Sequence, residues 1–183
     1  MSTPFEFNPF DELLQMLILL LVAGNETTTT LIGNTVLTLL DQPAELERLR
    51  REPDLVPSAI EEVLRFSSSV QLDPRRATRD LEPCDEKVRE GEMVISWLGS
   101  ANRDASVFRE PDPFDVGRKE SRHVAFGFGT HYCLGSNLAR LEVQIALLGR
   151  TKSFALTTSQ PLPLHRSLVF RSFTEIPVEL VPA

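Results

Sequence analysis

The stretch FGFGTHYCLG, residues 126–135, sets a cysteine behind glycines and aromatic residues in a chain whose one other cysteine is Cys84. Several readings of Cys133 are open from the residues alone. A thiol packed in a core needs only an apolar site, and free cysteine is among the most buried residue types. A nucleophile needs a base, for which His131 stands two residues earlier, although nothing else in the chain resembles a protease or acyl-transfer signature. A structural zinc site would need about four Cys, His or carboxylate ligands, and the chain offers His123, His131 and His165 with no CxxC pair. An iron-bound thiolate has to be kept anionic and approached closely by backbone N–H groups, which Gly129 and Gly135 permit. A helix starting just after Cys133 would then turn its positive end toward the sulfur.

Composition bounds what surrounds this loop. With 183 residues, 42% hydrophobic and 25% charged, the chain is globular in make-up and long enough to bury roughly 70% of its unfolded surface. A formal charge of −7 and a pI near 5.0 argue against nucleic acid as a partner, because a nucleic-acid binder carries a concentrated basic footprint. Two cysteines make no disulfide framework, and the opening MSTPFEFNPF has neither a basic region nor a signal-type apolar stretch, which predicts a cytoplasmic protein. The longest apolar run, LLQMLILLLVA from Leu13 to Ala23, is about half of what a membrane-spanning helix needs. It leads through Gly24 into Asn25 and Glu26, and so reads as a buried helix with no membrane span.

The pattern along the chain predicts a mainly α protein with small β-sheets, an α+β arrangement. Residues 11–40 read as one long helix, with Asp11 and Glu12 at its positive end and no proline until Pro43. It is apolar nearly all round in its first half and so demands cover on several sides. Pro43 restarts a helix through AELERLRRE, and Pro57 opens a third over 57–68. Over 70–118, segments such as RRATRD and KVREGEMVISWLGSA, cut by Gly, Pro and Asp, read as small strands and turns. The loop 119–135 follows, then a helix over 136–150 with Leu138, Leu141, Ile145 and Leu148 at helical spacing and Gly149 near its end. Residues 154–183, with LVFRSF among them, read as C-terminal strands.

The spacing of Phe126, Gly127, Gly129, His131, Cys133 and Gly135 resembles the heme-binding loop of the cytochrome P450 monooxygenases. The resemblance continues in order along the chain. AGNETT, residues 23–28, looks like the family's distal-helix motif. EEVLR holds a Glu-x-x-Arg pair at Glu62 and Arg65, and RRATRD and ANRD are similar to segments of soluble bacterial members. Singly, each has an ordinary reading: Glu–Arg at i, i+3 is usually a solvated surface pair, and a Thr run in a helix usually packs or bonds back to the preceding turn. Together, and in this order, they point to heme b, iron protoporphyrin IX, as cofactor.

The resemblance implies a role for each residue. Cys133 would be the proximal iron ligand, whose electron donation favours O–O cleavage. Ala23 and Gly24 would leave room for dioxygen on the distal side, and Glu26 and Thr27 would relay protons. Arg75 and His131 would hold the heme propionates, and Phe126, Gly127 and Gly135 would shape the loop around the cofactor. The partners implied are O2, a small organic substrate and an electron carrier of ferredoxin or flavoprotein type. The basic stretch GRKESRH, residues 117–123, would greet that carrier or form a solvated loop. Cys84 has no family role, and Trp97 reads as a packing anchor in a small sheet.

Two departures stand out. Many members place an arginine one residue before the Phe of a PxxF segment, where EPDPF has Pro113. Glu62 and Arg65 are therefore expected to lack a third partner, with Arg109 no assignable substitute. The match also covers only the C-terminal half of the family's fold, so the chain reads as a single partial domain over 1–183 whose apolar helix has lost its cover. A missing N-terminal half would then be a partner. The expected function is a heme-thiolate monooxygenase, incompetent as a fragment alone. The alternative is a non-catalytic truncated remnant that binds heme weakly or associates with partners.

Overall fold

Asn8 starts the longest element by accepting a hydrogen bond from the Phe10 amide at 3.1 Å, with Pro9 in the first turn and Asp11 and Glu12 against the positive helix end. The computed structural model describes residues 8–120, 122–148 and 151–182, and in it α1 runs Pro9–Asp41. Pro43 stops this helix, because its ring disfavours helical geometry at Gln42, which sits at φ −123° and ψ 68°. The same proline opens α2, Pro43–Arg51, and after the 3-10 turn Pro53–Leu55 comes α3, Val56–Phe66, with Pro57 in its first turn. β1, Asp73–Arg76, pairs antiparallel with β2, Met93–Ser96. A single turn, α4, Leu98–Ala101, follows, and a long loop then leads to α5, Ser136–Leu148. β3, Thr151–Leu156, and β4, Val178–Pro182, close a second antiparallel pair. The fold is mainly helical with small antiparallel sheets.

Two segments depart from the strand pattern. In KVREGEMVISWLGSA only Met93–Ser96 is a strand, and the residues after Trp97 turn into α4. Trp97 sits at that corner with no layer over it and is 54% exposed, so it anchors no packing. Among the described residues LVFRSF joins neither sheet and makes only isolated antiparallel bridges, Phe170 with Val70 and Phe173 with Leu164. The amides of Gln71 and Arg171 donate to the carbonyls of Val169 and Ser69 at 2.7 and 3.0 Å, pinning the segment to the chain just after α3.

The core forms where the second half of α1 meets α2, α3 and α5. Leu31 and Leu39 of α1, Leu49 of α2, Ile60 and Val63 of α3, Phe114 and Val116 of the long loop, and Val143 of α5 are buried together. Burying each such side chain contributes about 1.5–3 kcal/mol. α5 reaches the core through Ala139, Val143 and Leu147, spaced i, i+4, i+8. The stripe singled out by spacing lies elsewhere: Leu138, Leu141 and Ile145 are exposed. The Leu148 side chain, Gly149 and Ser121 lie outside the described residues.

The expectation of a buried apolar helix is corrected in the first half of α1. Its buried residues begin at Thr28, while the apolar side chains from Phe10 to Val22 are all at least 47% exposed, because no described element packs on that half. A continuous apolar surface of this kind favours association. The chain is expected to self-associate, and replacing Leu17 and Leu20 with lysine should lower association with a stability change within about 0.5 kcal/mol. Sedimentation velocity reads the first and urea unfolding the second. Undiminished association would put the contact elsewhere.

Candidate functional site

α3 carries two adjacent carboxylates that serve different clusters. Glu62 is 1% exposed at its side chain and forks onto Arg65, Oε2 accepting from Nε and Oε1 from an Nη, both at 2.8 Å. Arg65, equally buried, also donates to the carbonyls of Asn102, Pro111 and Pro113 at 3.0, 2.8 and 3.3 Å. Pro113 does not leave the pair without a third partner. Arg118 lays its Nε 3.0 Å from Glu62 Oε2 and 3.1 Å from Oε1, and spends its remaining donors on the carbonyls of Arg109, Glu110 and Pro113. Its side chain is 7% exposed, so within GRKESRH this arginine faces inward and offers nothing to an electron carrier. No spacing rule ties position 118 to α3; only the folded path of the long loop brings them together.

Glu61 faces the other way. Its Oε1 accepts from Arg140 Nε at 2.6 Å, and its Oε2 accepts from an Arg140 Nη and faces His123 Nε2, both at 3.0 Å. The Ala125 amide donates to His123 Nδ1 at 3.3 Å, which makes Nε2 the protonated nitrogen and the donor to Glu61. Burial raises the Glu61 pKa, but the hydrogen bonds from His123 and Arg140 and the Arg140 charge outweigh it and hold it down from 4.5 to about 2. Arg140 is correspondingly pushed up, chiefly by its bonds to Glu61. A carboxylate depressed on folding stabilises above its unfolded pKa and loses that contribution as pH falls through the folded one. Acid unfolding of the native chain between pH 4.5 and about 2 should therefore be steeper than that of Glu61→Gln, and equal slopes would contradict this.

The cysteine loop hangs from these clusters. Asn102 of ANRD, fully buried, accepts from the Val124 amide at 2.7 Å and donates to Ser68 Oγ at 2.9 Å. The Phe126 ring packs against the core under the Arg140 guanidinium, 4.7 Å away, and its carbonyl accepts from the Cys133 amide at 3.0 Å, closing the loop. Gly127 and Gly129 take φ values of +73° and +74°, which a Cβ would strain. The turn Gly129–His131 carries His131 on its exposed side. Cys133 is an exposed free thiol three residues before α5, whose first bonds run from Ser136 N to the Cys133 carbonyl and from Ala139 N to the Gly135 carbonyl. Phe128 and Leu134, each 90% exposed, lie on either side of it in the chain.

The residues fit an iron-bearing planar group. A Cβ built on Gly129 or Gly135 meets nothing within 4 Å, so the loop is open at the two glycines that flank the exposed Cys133 in the chain. A soft, exposed thiol near a helix N-terminus is a suitable single donor, and a porphyrin would bring the iron's other ligands with it. Ala23, Gly24 and Glu26 line up on α1, all exposed, and Thr27 Oγ1 donates back to the Ala23 carbonyl at 2.7 Å. Arg75 stands apart on β1, exposed, tied to Asp73 and to the Pro74 carbonyl. Among the described residues no hydrogen bond joins it to His131. Cys84 is an exposed turn residue at φ +53°.

The loop thus presents its thiol ahead of α5 and is tied to a buried Glu–Arg–Arg cluster. The Cytochrome P450 family model matches residues 8–172. The biotin biosynthesis cytochrome P450 of Bacillus subtilis is 48% identical over 165 residues, 88% of this chain and 41% of that protein. Cytochrome P450 107B1 of Saccharopolyspora erythraea is 46% identical over 172 residues, 91% of this chain and 42% of that protein. Among solved structures, CYP109E1 from Bacillus megaterium in complex with testosterone superposes with a TM-score of 0.87 at 40% identity, covering 97% of this chain and 50% of that one. P450BioI in complex with hexadec-9Z-enoic acid ligated acyl carrier protein gives 0.84 at 46%, covering 90% and 43%. The chain belongs to the cytochrome P450 family. It spans about two fifths of the length of the curated relatives it matches.

Proposed function

We propose that the chain is the thiolate-bearing part of a heme-thiolate monooxygenase that works in the cytoplasm on a small organic substrate. The overall reaction is RH + O2 + two electrons + two protons giving ROH + H2O, with electrons from a ferredoxin- or flavoprotein-type carrier. The observation that carries this reading is the closed loop Phe126–Gly135, which presents one thiol into open space ahead of α5. Cys133 would ligate the iron of heme b, with Gly127 and Gly135 letting the backbone lie close to the porphyrin. Heme, when bound, supplies the reduction of dioxygen and the transfer of one oxygen atom to substrate.

The chain's own residues handle placement and protons. Thr27 spends its hydroxyl proton on the Ala23 carbonyl and keeps its lone pairs to accept from a water, while Glu26, exposed beside it, exchanges protons with solvent. Ala23 and Gly24 keep this face of α1 low. His131 is free to meet a propionate, and Arg75 would exchange Asp73 for one. In an enzyme with the distal face covered, Thr27→Ala is expected to keep the heme spectrum and divert reducing equivalents to peroxide or water. Product yield per electron measures this, and an unchanged yield would remove Thr27 from the relay.

Alone, the chain is expected to bind heme weakly and not to turn over, because α1 is bare where a closed pocket needs a wall. A second reading, a remnant that associates through partners without catalysis, is favoured by the exposed run Phe10–Val22. The carbon monoxide difference spectrum of the reduced chain with excess hemin separates the two. A thiolate-type Soret band supports the monooxygenase reading, and no heme uptake supports the remnant.

A further inference from the structure

Glu61 touches both sides of the cysteine loop without touching the cysteine. Before the loop, His123 donates to its Oε2 at 3.0 Å. After the loop, Arg140 of α5 forks onto both its oxygens at 2.6 and 3.0 Å, while another Arg140 nitrogen donates to the Ser136 carbonyl at 3.3 Å, at the start of α5. The same guanidinium covers the Phe126 ring, whose backbone carbonyl holds the Cys133 amide. One carboxylate on α3 thus ties the entry, the floor and the exit of the loop to a helix that the separate Glu62–Arg65–Arg118 cluster anchors in the core.

We propose that Glu61 is a positioning residue for the Cys133 sulfur, acting through Arg140 and His123. This rests on the reading of Cys133 as the heme ligand. Its charge matters more than its bulk: a neutral amide at position 61 offers one acceptor where three donors converge, and turns an N–H toward Arg140 or His123. The loop would then shift against α5 while α3 keeps its own cluster. Because Glu61 and Arg140 are both partly solvated, with side chains 25% and 28% exposed, the bonds lost are of intermediate strength.

The test uses the whole chain in Glu61→Gln, Glu61→Asp and Arg140→Gln forms. Without heme, amide exchange in peptides spanning 122–135 should quicken on the order of tenfold in Glu61→Gln and Arg140→Gln, with peptides of α3 unchanged. The double variant should add little to either single one. Loaded with hemin, reduced and exposed to carbon monoxide, Glu61→Gln should trade part of the thiolate-type band for the blue-shifted band of a neutral or lost sulfur ligand, and Glu61→Asp should recover part of it. Unchanged loop exchange, loop and α3 quickening together, or a native spectrum in Glu61→Gln would each overturn the proposal. A native chain with no thiolate band would overturn the sulfur ligand itself, a failure that the heme-free exchange distinguishes from a failure of Glu61 to hold the loop.

Discussion

Replacing Arg65 with methionine is expected to unfold the chain or leave it on the edge of unfolding. The guanidinium is 1% exposed and satisfies both oxygens of an equally buried Glu62 together with three loop carbonyls. Removing it leaves a buried carboxylate on Arg118 and the Asp115 amide, and strips a donor from the Asn102 and Pro111 carbonyls. Breaking a buried pair in this way costs about 3–5 kcal/mol, set against a net stability of roughly 5–15 kcal/mol for a whole domain. Urea unfolding followed by circular dichroism measures the loss. Arg48→Met serves as the contrast: its pair with Asp115 is 37% and 45% exposed and is worth up to about 1 kcal/mol. A native-like midpoint in Arg65→Met would show that the cluster carries no stability.

Cys133→Ser is expected to abolish any thiolate-type heme spectrum, and Cys84→Ser to leave it intact. Serine offers a harder, neutral oxygen at neutral pH, a poor match for the soft sulfur donor proposed for the iron. Cys84 sits in an exposed left-handed turn, and among the described residues no hydrogen bond joins that turn to the loop. The comparison uses hemin titration of each variant followed by reduction under carbon monoxide. Loss on changing Cys84 and retention on changing Cys133 would reverse the assignment.

Much of this was legible because the chemistry is local. Gly127, Gly129 and Cys133 lie within a few residues of one another, and their spacing alone describes a loop that positive φ values then realise. Two helix starts were equally readable, since Pro43 and Pro57 act on their own turns, whereas α1 begins at Pro9, two residues before the expected Asp11. What sequence missed is long-range. Arg118 and Glu62 are 56 residues apart, and Arg140 and Glu61 are 79 apart; no periodicity links such positions. The apolar stripe Leu138, Leu141, Ile145 misled for a related reason, as did the reading of Phe10–Val22 as buried, although the partial match to the family already implied that this helix had lost its cover. Periodicity shows that a face is apolar, but not whether the described chain contains anything to cover it.

Iron-edge X-ray absorption on the hemin-loaded chain tests the central claim most directly, because it reports the atoms bound to iron whatever the activity. A single sulfur neighbour in the native chain and in Cys84→Ser, absent in Cys133→Ser, is the predicted result. A shell of nitrogen and oxygen alone in the native chain, or a sulfur that survives Cys133→Ser, would contradict it.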